Sequence, residues 1–469
     1  MSLDGFRDEC GVFGVFGAQE AAKLTYLGLH ALQHRGQEGA GIAAADGSNI
    51  VRYRGLGLVG EVFSDDELGR LHGTTAIGHV RYSTSGGSST VNVQPFLVQY
   101  RAGQVAIAHN GNIVNAALLR EDLEEHGSIF ATTSDTEVIL HLLAGSRQKT
   151  FINRLVDALG RLQGAYSVVV MTPGRLVAVR DPHGFRPLVL GRRGDAWVVA
   201  SETCALDLID GEFIREVNHG EMVIIDDEGI QSLYPFPRED RRACIFEHIY
   251  FSRPDSLVFG RSVYTQRVEL GRTLAAEHPV DADVVIAVPD SGVSGALGYA
   301  QRSGIPYGRG LLRSHYVGRT FIEPDQQIRD FGVRLKLSPV RSVLSGKRVI
   351  VVDDSIVRGT TSRKIVRMLR RAGATQVHLR ITCPPTRSSC FYGVDTPTSD
   401  ELIASKMDIA GICEHLGADS LGYLSLEGLR TVQGTDRGRF CEACFSSDYP
   451  VDPHPKGLKD IQVNLFSQD

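Results

Sequence analysis

The first half of the chain alternates short apolar runs with glycine-rich turns. Such runs, strictly alternating or unbroken, are typical of β-strands buried on one or both faces. Residues 18–33 and 136–162 instead place apolar positions three and four apart, which predicts amphipathic helices. We therefore expect stacked sheets with helices outside them. The predicted strands are CGVFGVFG (10–17), AGIAAAD (40–46), TAIGHVRY (75–82), QVAIAHNGNI (104–113), AYSVVVMT (165–172), RLVAVRD (175–181), AWVVAS (196–201) and EMVIID (221–226).

A change in composition at residues 232–242, SLYPFPREDRR, ends this pattern. Proline and charged residues replace the apolar runs there, as is common where two domains join. Beyond this point apolar strands alternate with helical stretches such as VELGRTLAAEH (268–278), an order that predicts an α/β domain with a parallel sheet. We divide the chain into a leader (1–9), a first domain (10–235) and a second domain (236–469).

The stretch RVIVVDDSIVRGTTS, residues 348–362, combines three features that suit a sugar phosphate. Its β-branched run predicts a strand buried on both faces of a parallel sheet. The carboxylates of Asp353 and Asp354 follow and can accept hydrogen bonds from a diol. The glycine- and hydroxyl-rich turn then leads into a helix, whose first N–H groups can bind a phosphate. The stretch is neither a P-loop nor a dinucleotide fingerprint, and an acidic strand end without a ligand is the alternative.

Composition narrows the class of protein. With 469 residues, of which 42% are hydrophobic, the chain can form two or three domains with sizeable cores. A net charge of −5 gives no basic field that would favour nucleic acid. The sequence has no apolar run long enough for a membrane span, and the leader MSLDGFRDE has no signal-peptide core. Eight cysteines without a secretion signal indicate reduced thiols, metal ligands or catalysis. We predict a cytoplasmic enzyme without nucleic-acid or membrane partners.

Cys10 heads the first predicted strand, and a buried strand cysteine is the ordinary interpretation of that position. Polar clusters elsewhere in this half favour a catalytic interpretation, because they fall in turns beside strands, where sites are commonly built. These clusters are HRGQE (34–38), RYST (81–84), HNGN (109–112) and SDTE (134–137).

The four clusters, in this order, resemble those of class II glutamine amidotransferases, which have an N-terminal nucleophile. The resemblance implies an αββα sandwich of the Ntn-hydrolase type for residues 10–235 and removal of residues 1–9, which would leave Cys10 as the N-terminal nucleophile. Its own α-amino group would then take the thiol proton. The oxyanion donors implied are Asn110 and Gly111, and the glutamine-binding residues implied are Gly36, Arg81, Thr84 and Asp135.

The 348–362 stretch resembles the loop of type I phosphoribosyltransferases that binds 5-phosphoribosyl pyrophosphate (PRPP). Together with VPDSG (288–292), it implies that fold for residues 236–469 and a Mg²⁺ ion near Ser291, Asp353 and Asp354. A long charged stretch, residues 313–339, resembles the loop that closes over PRPP. The PRPP-binding residues implied are Asp353, Asp354, Ser355, Arg358, Gly359, Thr360, Thr361 and Tyr316.

The cysteines of the second half pose a separate question. Only Cys441 and Cys444 have the C-x₂-C spacing, and four thiolates would fit either zinc or an iron–sulfur cluster. Resemblance to an iron–sulfur subgroup implies a 4Fe–4S cluster on Cys244, Cys390, Cys441 and Cys444. Cys383 competes with Cys390 for that role. We interpret Cys204 and Cys413 as core thiols.

From about residue 10 to 449 the chain thus resembles the glutamine PRPP amidotransferases. The resemblance implies conversion of glutamine and PRPP to 5-phosphoribosylamine, glutamate and pyrophosphate, with ammonia passing between sites along a shielded path. It also implies feedback inhibition by AMP, GMP or ADP and a homo-oligomer, usually a tetramer. Two alternatives remain: an amidotransferase with another acceptor, and a non-catalytic PRPP-binding regulator with a relict glutaminase half.

Overall fold

The computed structural model describes residues 10–82, 89–314 and 337–454. Within these ranges the first half of the chain forms a seven-stranded sheet and a six-stranded sheet, with the strands numbered in chain order. The first sheet runs β11 (Glu212–Glu216), β9 (Val189–Arg193), β10 (Ala196–Ala200), β1 (Gly11–Phe16), β4 (Thr75–Arg81), β2 (Gly39–Ala45) and β3 (Ile50–Leu56). The second runs β13 (Gly229–Leu233), β12 (Met222–Asp226), β8 (Arg175–Arg180), β7 (Gly164–Thr172), β6 (Gly103–Ile113) and β5 (Phe96–Tyr100).

The two sheets pack face to face, and helices cover their outer faces. Alternation along β1 explains this, because Val12 faces a core shared with the second sheet while Phe13 faces the helix side. The αββα sandwich is therefore confirmed. Its helices are α1 (Ala21–Ala31), α2 (Val59–Val62), α3 (Asp65–Gly69), α4 (Ala116–Glu125), α5 (Thr136–Gly145), α6 (Phe151–Leu159) and α7 (Cys204–Asp207), with a 3₁₀ turn at Thr90–Asn92.

All eight predicted strands of this half are present, but both helix predictions were too long. The helix predicted at 18–33 is shorter at both ends, and the one predicted at 136–162 is two helices, α5 and α6. The polar stretch SRQKT (146–150) separates them, since Thr150 caps α6 by accepting a hydrogen bond from the Asn153 backbone N–H at 3.2 Å.

The second half is built on a four-stranded parallel sheet, as predicted, in the order β17 (Val284–Ala287), β20 (Arg348–Asp353), β21 (Gln376–Ile381) and β22 (Ser420–Tyr423). In β20, Val349–Val352 are fully buried, which explains why this run does not alternate. The helices of this half are α8 (Val263–Glu277), α9 (Val293–Ser303), α10 (Arg341–Leu344), α11 (Thr360–Arg371), α12 (Ile403–Lys406), α13 (Ile409–Leu416), α14 (Leu426–Gln433) and α15 (Ala443–Ser446).

Short elements complete this half. A π-helical turn lies at Glu247–Phe251, and 3₁₀ turns lie at Ser399–Glu401 and Gly434–Asp436. Three two-stranded ribbons pair β14 (Ala243–Cys244) with β23 (Phe440–Cys441), β15 (Leu257–Val258) with β16 (Arg261–Ser262), and β18 (Leu311–Arg313) with β19 (Leu337–Pro339). The last ribbon brackets the charged stretch predicted to close over PRPP, of which residues 315–336 lie outside the described ranges.

Buried charges join the two halves. Arg35 from the first half donates to Glu202 at 2.5 Å and, across the interface, to Glu247 at 2.5 Å. These side chains are fully buried, and removing one partner from such a pair leaves an uncompensated buried charge. Buried ion pairs are thus part of the interface between the halves. No helix in the described part of the chain is long and apolar enough to span a membrane.

Two candidate active sites and a cysteine cavity

Cys10 lies at the start of β1, where the strand register fixes its neighbours. Antiparallel pairing sets Gly11 opposite Val80, which places Cys10 beside the end of β4. The Cys10 thiol donates to the Tyr82 carbonyl oxygen at 3.5 Å. Because Val12 faces the layer between the sheets, Cys10, two residues earlier, faces the same layer. The thiol is half-buried and lies at the mouth of the inter-sheet space.

Asn110 and Gly111 lie near the end of β6. Ala106 and Ala108 face the inter-sheet core, and Asn110 continues that row toward the side of Cys10. The Asn110 amide is buried, and its Nδ2 has no hydrogen-bond partner among the described residues. A buried donor left without a partner is costly, so such a group is usually kept for a ligand or catalysis. Asn110 therefore has the environment expected of an oxyanion donor.

Gly111 is glycine for a structural reason. Its φ of +145° lies in a region that other residues rarely adopt, and a Cβ there would lie 2.1 Å from the Ala165 carbonyl oxygen. The position therefore accepts only glycine, so no side chain of residue 111 covers its own backbone N–H.

The glutamine-binding residues predicted in this half fall near the same strand ends. A Cβ on Gly36 would lie 2.6 Å from the Arg81 backbone nitrogen, so the 34–38 loop lies directly on Arg81. Arg81 is buried, with its Nη1 4.0 Å from a carboxylate oxygen of Glu38. Asp135 precedes α5 and accepts a hydrogen bond from the Ile113 N–H at 3.0 Å. Thr84, the fourth predicted residue, lies outside the described residues.

His109 has a role that the sequence did not separate from that of Asn110. As an odd-numbered residue of β6 it faces the helix side, where its Nδ1 lies 3.0 Å from the Thr136 hydroxyl. Its backbone N–H donates to Gln94 at 2.8 Å, and Gln94 in turn donates to Thr136 at 3.0 Å. Because side chains alternate along a strand, the sequence could have indicated that His109 and Asn110 face opposite sides of the sheet. His109 braces α5 and is held away from the Cys10 side.

The predicted PRPP loop follows β20. Asp353 ends the strand, Asp354 is buried, and the Ser355 hydroxyl donates to Asp354 at 2.6 Å. Gly359, with φ +79°, is the N-cap of α11, whose first turn carries no acidic residue. The N–H groups of Thr360 and Thr361 lie in that first turn, where a helix of this length can bind a phosphate.

Ser291 lies on the loop after β17, the parallel neighbour of β20. A Cβ on Gly292 would lie 3.2 Å from the Asp353 Cα, so this loop packs directly against the acidic pair. Burial and the adjacent Asp354 carboxylate raise the pKa of Asp353 well above its ordinary value. A divalent cation would relieve that repulsion, and two carboxylates with a hydroxyl fit the sparse protein ligation that Mg²⁺ accepts.

Two further residues predicted to bind PRPP are Arg358 and Tyr316. Arg358 forms an ion pair with Glu401 at 2.9 Å. Tyr316 lies outside the described residues.

Cys244, Cys390, Cys441 and Cys444 line one cavity of about 20 Å³, and its remaining walls are mostly aromatic and aliphatic. Parallel pairing of β14 with β23 aligns Cys244 with Cys441. Burial raises the pKa of Cys441 to about 12 and that of Cys444 well above its ordinary value. These thiols would therefore ionise only beside a cation.

The cavity has both favourable and unfavourable features for a metal group. Across the described ranges no three His, Cys, Asp or Glu residues are grouped closely enough to hold a metal ion. At about 20 Å³, the cavity would have to widen to accept a cluster. The donor set nevertheless fits a thiolate-ligated group, because four sulfurs line the cavity and, among the residues that the structure describes, no carboxylate or imidazole does.

The remaining cysteines lie elsewhere. Cys383 does not line the cavity, and its thiol donates to the Pro384 carbonyl oxygen at 3.2 Å. Cys204 is buried, as predicted for a core thiol. The same prediction for Cys413 was wrong, since this residue is half-buried on the amphipathic helix α13.

The fold and these sites define a class of protein, a glutamine amidotransferase joined to a phosphoribosyltransferase. Family models agree: residues 79–208 match a glutamine amidotransferase domain and residues 265–396 a phosphoribosyl transferase domain. The chain belongs to the amidophosphoribosyltransferase family, whose members catalyse the first step of purine biosynthesis.

Relatives support that assignment over nearly the whole chain. The chloroplastic amidophosphoribosyltransferase of Glycine max is 59% identical over 99% of this chain and 82% of its own length. The amidophosphoribosyltransferase of Bacillus subtilis (strain 168) is 52% identical over 96% of each chain.

Solved structures agree with the relatives. The structure described as the allosteric regulatory enzyme of purine biosynthesis is 51% identical, with a TM-score of 0.92 over 96% of this chain and 98% of its own. Glutamine PRPP amidotransferase from B. subtilis, complexed with ADP and GMP, has a TM-score of 0.90 at 51% identity over 95% of this chain and 100% of its own.

Proposed function

We propose that this chain hydrolyses glutamine at Cys10 and passes the ammonia to PRPP, giving 5-phosphoribosylamine, glutamate and pyrophosphate. The observation that carries the proposal is the direct contact between the two halves, in which Asn112, next to the oxyanion pair, donates to the Phe391 carbonyl at 2.8 Å. Ammonia must reach PRPP unprotonated, which requires a path closed to water. Ala165, Phe185 and Tyr392 form a buried apolar cluster across the same interface and support such a closed path.

In the glutaminase half, removal of residues 1–9 would free the α-amino group of Cys10. An α-amine has a pKa of about 8, so part of it is unprotonated at neutral pH and can accept the thiol proton. The thiolate then attacks the side-chain amide of glutamine, while Asn110 Nδ2 and the Gly111 N–H stabilise the oxyanion. Arg81 would bind the substrate carboxylate and Asp135 its ammonium group. Water finally cleaves the thioester to release glutamate.

Mass spectrometry of the purified, active protein should place its N-terminus at Cys10, after loss of the first nine residues. The physical reason is that an amide nitrogen, unlike a free amine, cannot accept the thiol proton. A fully active protein that retains residues 1–9 would contradict the amine-as-base mechanism.

In the transferase half, Asp353 and Asp354 would bind the ribose hydroxyls and the cation, and the start of α11 would bind the 5-phosphate. Bound Mg²⁺, near Ser291 and the two carboxylates, would supply charge neutralisation of the departing pyrophosphate. The role of Tyr316 in closing over PRPP is proposed from the family resemblance.

We also propose that Cys244, Cys390, Cys441 and Cys444 hold a 4Fe–4S cluster, which would tie the C-terminal segment to the domain junction. Anaerobically purified protein should contain about four iron and four sulfide per chain. Cys441→Ser should lower both by more than half, whereas Cys413→Ser, at a cysteine away from the cavity, should leave them unchanged. Stoichiometric zinc without sulfide would overturn the assignment.

The proposals on regulation, assembly and cellular location rest on relatives and on the family resemblance. Because the B. subtilis relative was solved with ADP and GMP, we propose inhibition by purine nucleotides, with AMP as a further inhibitor. A homotetramer is proposed from the family resemblance. The cytoplasmic location remains a prediction, since several plant relatives are named chloroplastic while the B. subtilis relative is not.

A further inference from the structure

Residues 390–393 of the phosphoribosyltransferase half, Cys-Phe-Tyr-Gly, lie directly against the strand that carries the oxyanion pair. The side-chain amide of Asn112 donates to the Phe391 carbonyl oxygen at 2.8 Å. A Cβ added to Gly393 would lie 3.0 Å from both the Cα and the carbonyl carbon of Gly111. The 390–393 segment therefore contacts the Gly111 backbone on one side. It also accepts a hydrogen bond from Asn112, the residue that follows Gly111.

The glutaminase half holds this segment from a second direction. Arg186 donates two hydrogen bonds to the Tyr392 carbonyl oxygen, at 2.9 Å from Nε and 2.6 Å from Nη2. The rings of Phe185 and Tyr392 stack with their centroids 4.4 Å apart and an interplanar angle of 21°. Tyr392 is buried, so these contacts exclude water from around its side chain. These contacts hold the 390–393 segment in place independently of its contact with Gly111.

The Gly111 peptide needs such a support. Glycine at φ +145° has no side chain to anchor it, and a glycine peptide can rotate more freely than any other. An oxyanion donor works only if its N–H is held in place before the charge develops, and a misplacement of about 1 Å can cost about 100-fold in rate. The supports visible here are its pairing with β7 on one side and the 390–393 segment on the other.

We propose that Asn112 and Gly393 are positioning residues for glutamine hydrolysis, by which the phosphoribosyltransferase half holds the Gly111 N–H in the orientation that the oxyanion requires. The inference rests on the proposed function, because it assumes that Asn110 and Gly111 bind the oxyanion. It adds that the glutaminase site is incomplete without a segment from the other domain.

The test uses the full-length protein with Asn112→Asp, a change of the same size that removes the donor. We expect glutaminase kcat to fall about tenfold while KM for glutamine changes by less than about twofold, because the contact acts on the transition state. Synthesis of 5-phosphoribosylamine from added ammonia should not change. Glutamate γ-semialdehyde, which adds to the thiol and forms an oxyanion, should lose about tenfold in affinity while glutamate binding stays constant.

Thr203→Val is the matched control, since the Thr203 hydroxyl accepts a hydrogen bond from the Leu257 N–H at 2.9 Å across the same two halves. It should leave kcat, KM and aldehyde affinity unchanged. Gly393→Ala is the second variant: its Cβ would press on Gly111, and we expect the same loss of kcat and aldehyde affinity.

Two results would overturn the inference. One is normal kcat and aldehyde affinity in Asn112→Asp and Gly393→Ala. The other is an equal loss of glutaminase and ammonia-dependent activities in Asn112→Asp, as a purely structural contact would produce. A wild-type protein without glutaminase activity would contradict the proposed function itself, and thereby also this inference.

Discussion

Cys10→Ala should abolish synthesis of 5-phosphoribosylamine from glutamine and leave synthesis from added ammonia near the wild-type rate. Alanine cannot form the thioester, so hydrolysis of glutamine loses its covalent route and should fall by about 10⁴-fold or more. The proposed acceptor site lies on the other domain, more than 300 residues later at Asp353, and would not use the thiol. Rates with glutamine and with ammonium at alkaline pH, measured on the same preparation, test this directly.

Cys413→Ala is the control for Cys10→Ala, because Cys413 is half-buried like Cys10 and its thiol donates to the Ala418 carbonyl oxygen at 3.4 Å, which belongs to neither candidate site. It should keep both activities. An equal loss of both activities in Cys10→Ala would refute the division into two sites.

Asp353→Asn with Asp354→Asn should have the opposite pattern. Transfer from either glutamine or ammonia should fall by about 10³-fold or more, because the site loses the charge that binds cation and sugar hydroxyls. Glutamine hydrolysis without PRPP should persist at its basal rate. Steady-state assays of glutamate and pyrophosphate release separate the two effects.

The same double variant should melt at a higher temperature than the wild type at neutral pH. Burial and Asp354 raise the pKa of Asp353 in the folded state, so its ionised form opposes folding. This destabilisation is absent below the pKa that Asp353 has in the unfolded chain, and it grows as pH rises toward neutrality. Substitution by asparagine removes it. The gain in Tm should therefore vanish in acid.

Asp283→Asn provides the contrast in the same domain. Hydrogen bonds from the Arg348 side chain and backbone lower the pKa of Asp283 to about 2, so this carboxylate favours folding at neutral pH. The variant should not gain Tm and should keep both activities. A double variant of Asp353 and Asp354 that, like Asp283→Asn, does not gain Tm at neutral pH would contradict the interpretation of the acidic pair as a strained ligand site.

Much of the fold was predictable because the central strands bury both faces or alternate clearly. In the first half of the chain, the strands missed were mainly peripheral or short: β3, β5, β9, β11 and β13. β11, EFIRE, is the clearest case, since its side chains are half-buried or exposed and its apolar residues give no core-facing pattern. Helix α4 was also missed, because of its ten residues only Leu119 is buried.

The site was less evenly predictable. Cys10, Asn110 and Asp353 could be singled out because their chemistry is concentrated in short motifs. The pairing of Asn112 with Phe391 could not, because the two residues are 279 positions apart and the contact runs from a side chain to a backbone carbonyl. The same holds for Arg35 and Glu247, 212 positions apart, whose ion pair is defined only when the domains meet.

The most direct test of the central claim, that the two halves act as one enzyme, is the dependence of glutamate release on PRPP under anaerobic conditions with Mg²⁺ present. PRPP should greatly accelerate glutamate release, and glutamate and pyrophosphate should appear in equal amounts. Glutamate release that ignores PRPP, or that proceeds without pyrophosphate, would contradict that claim.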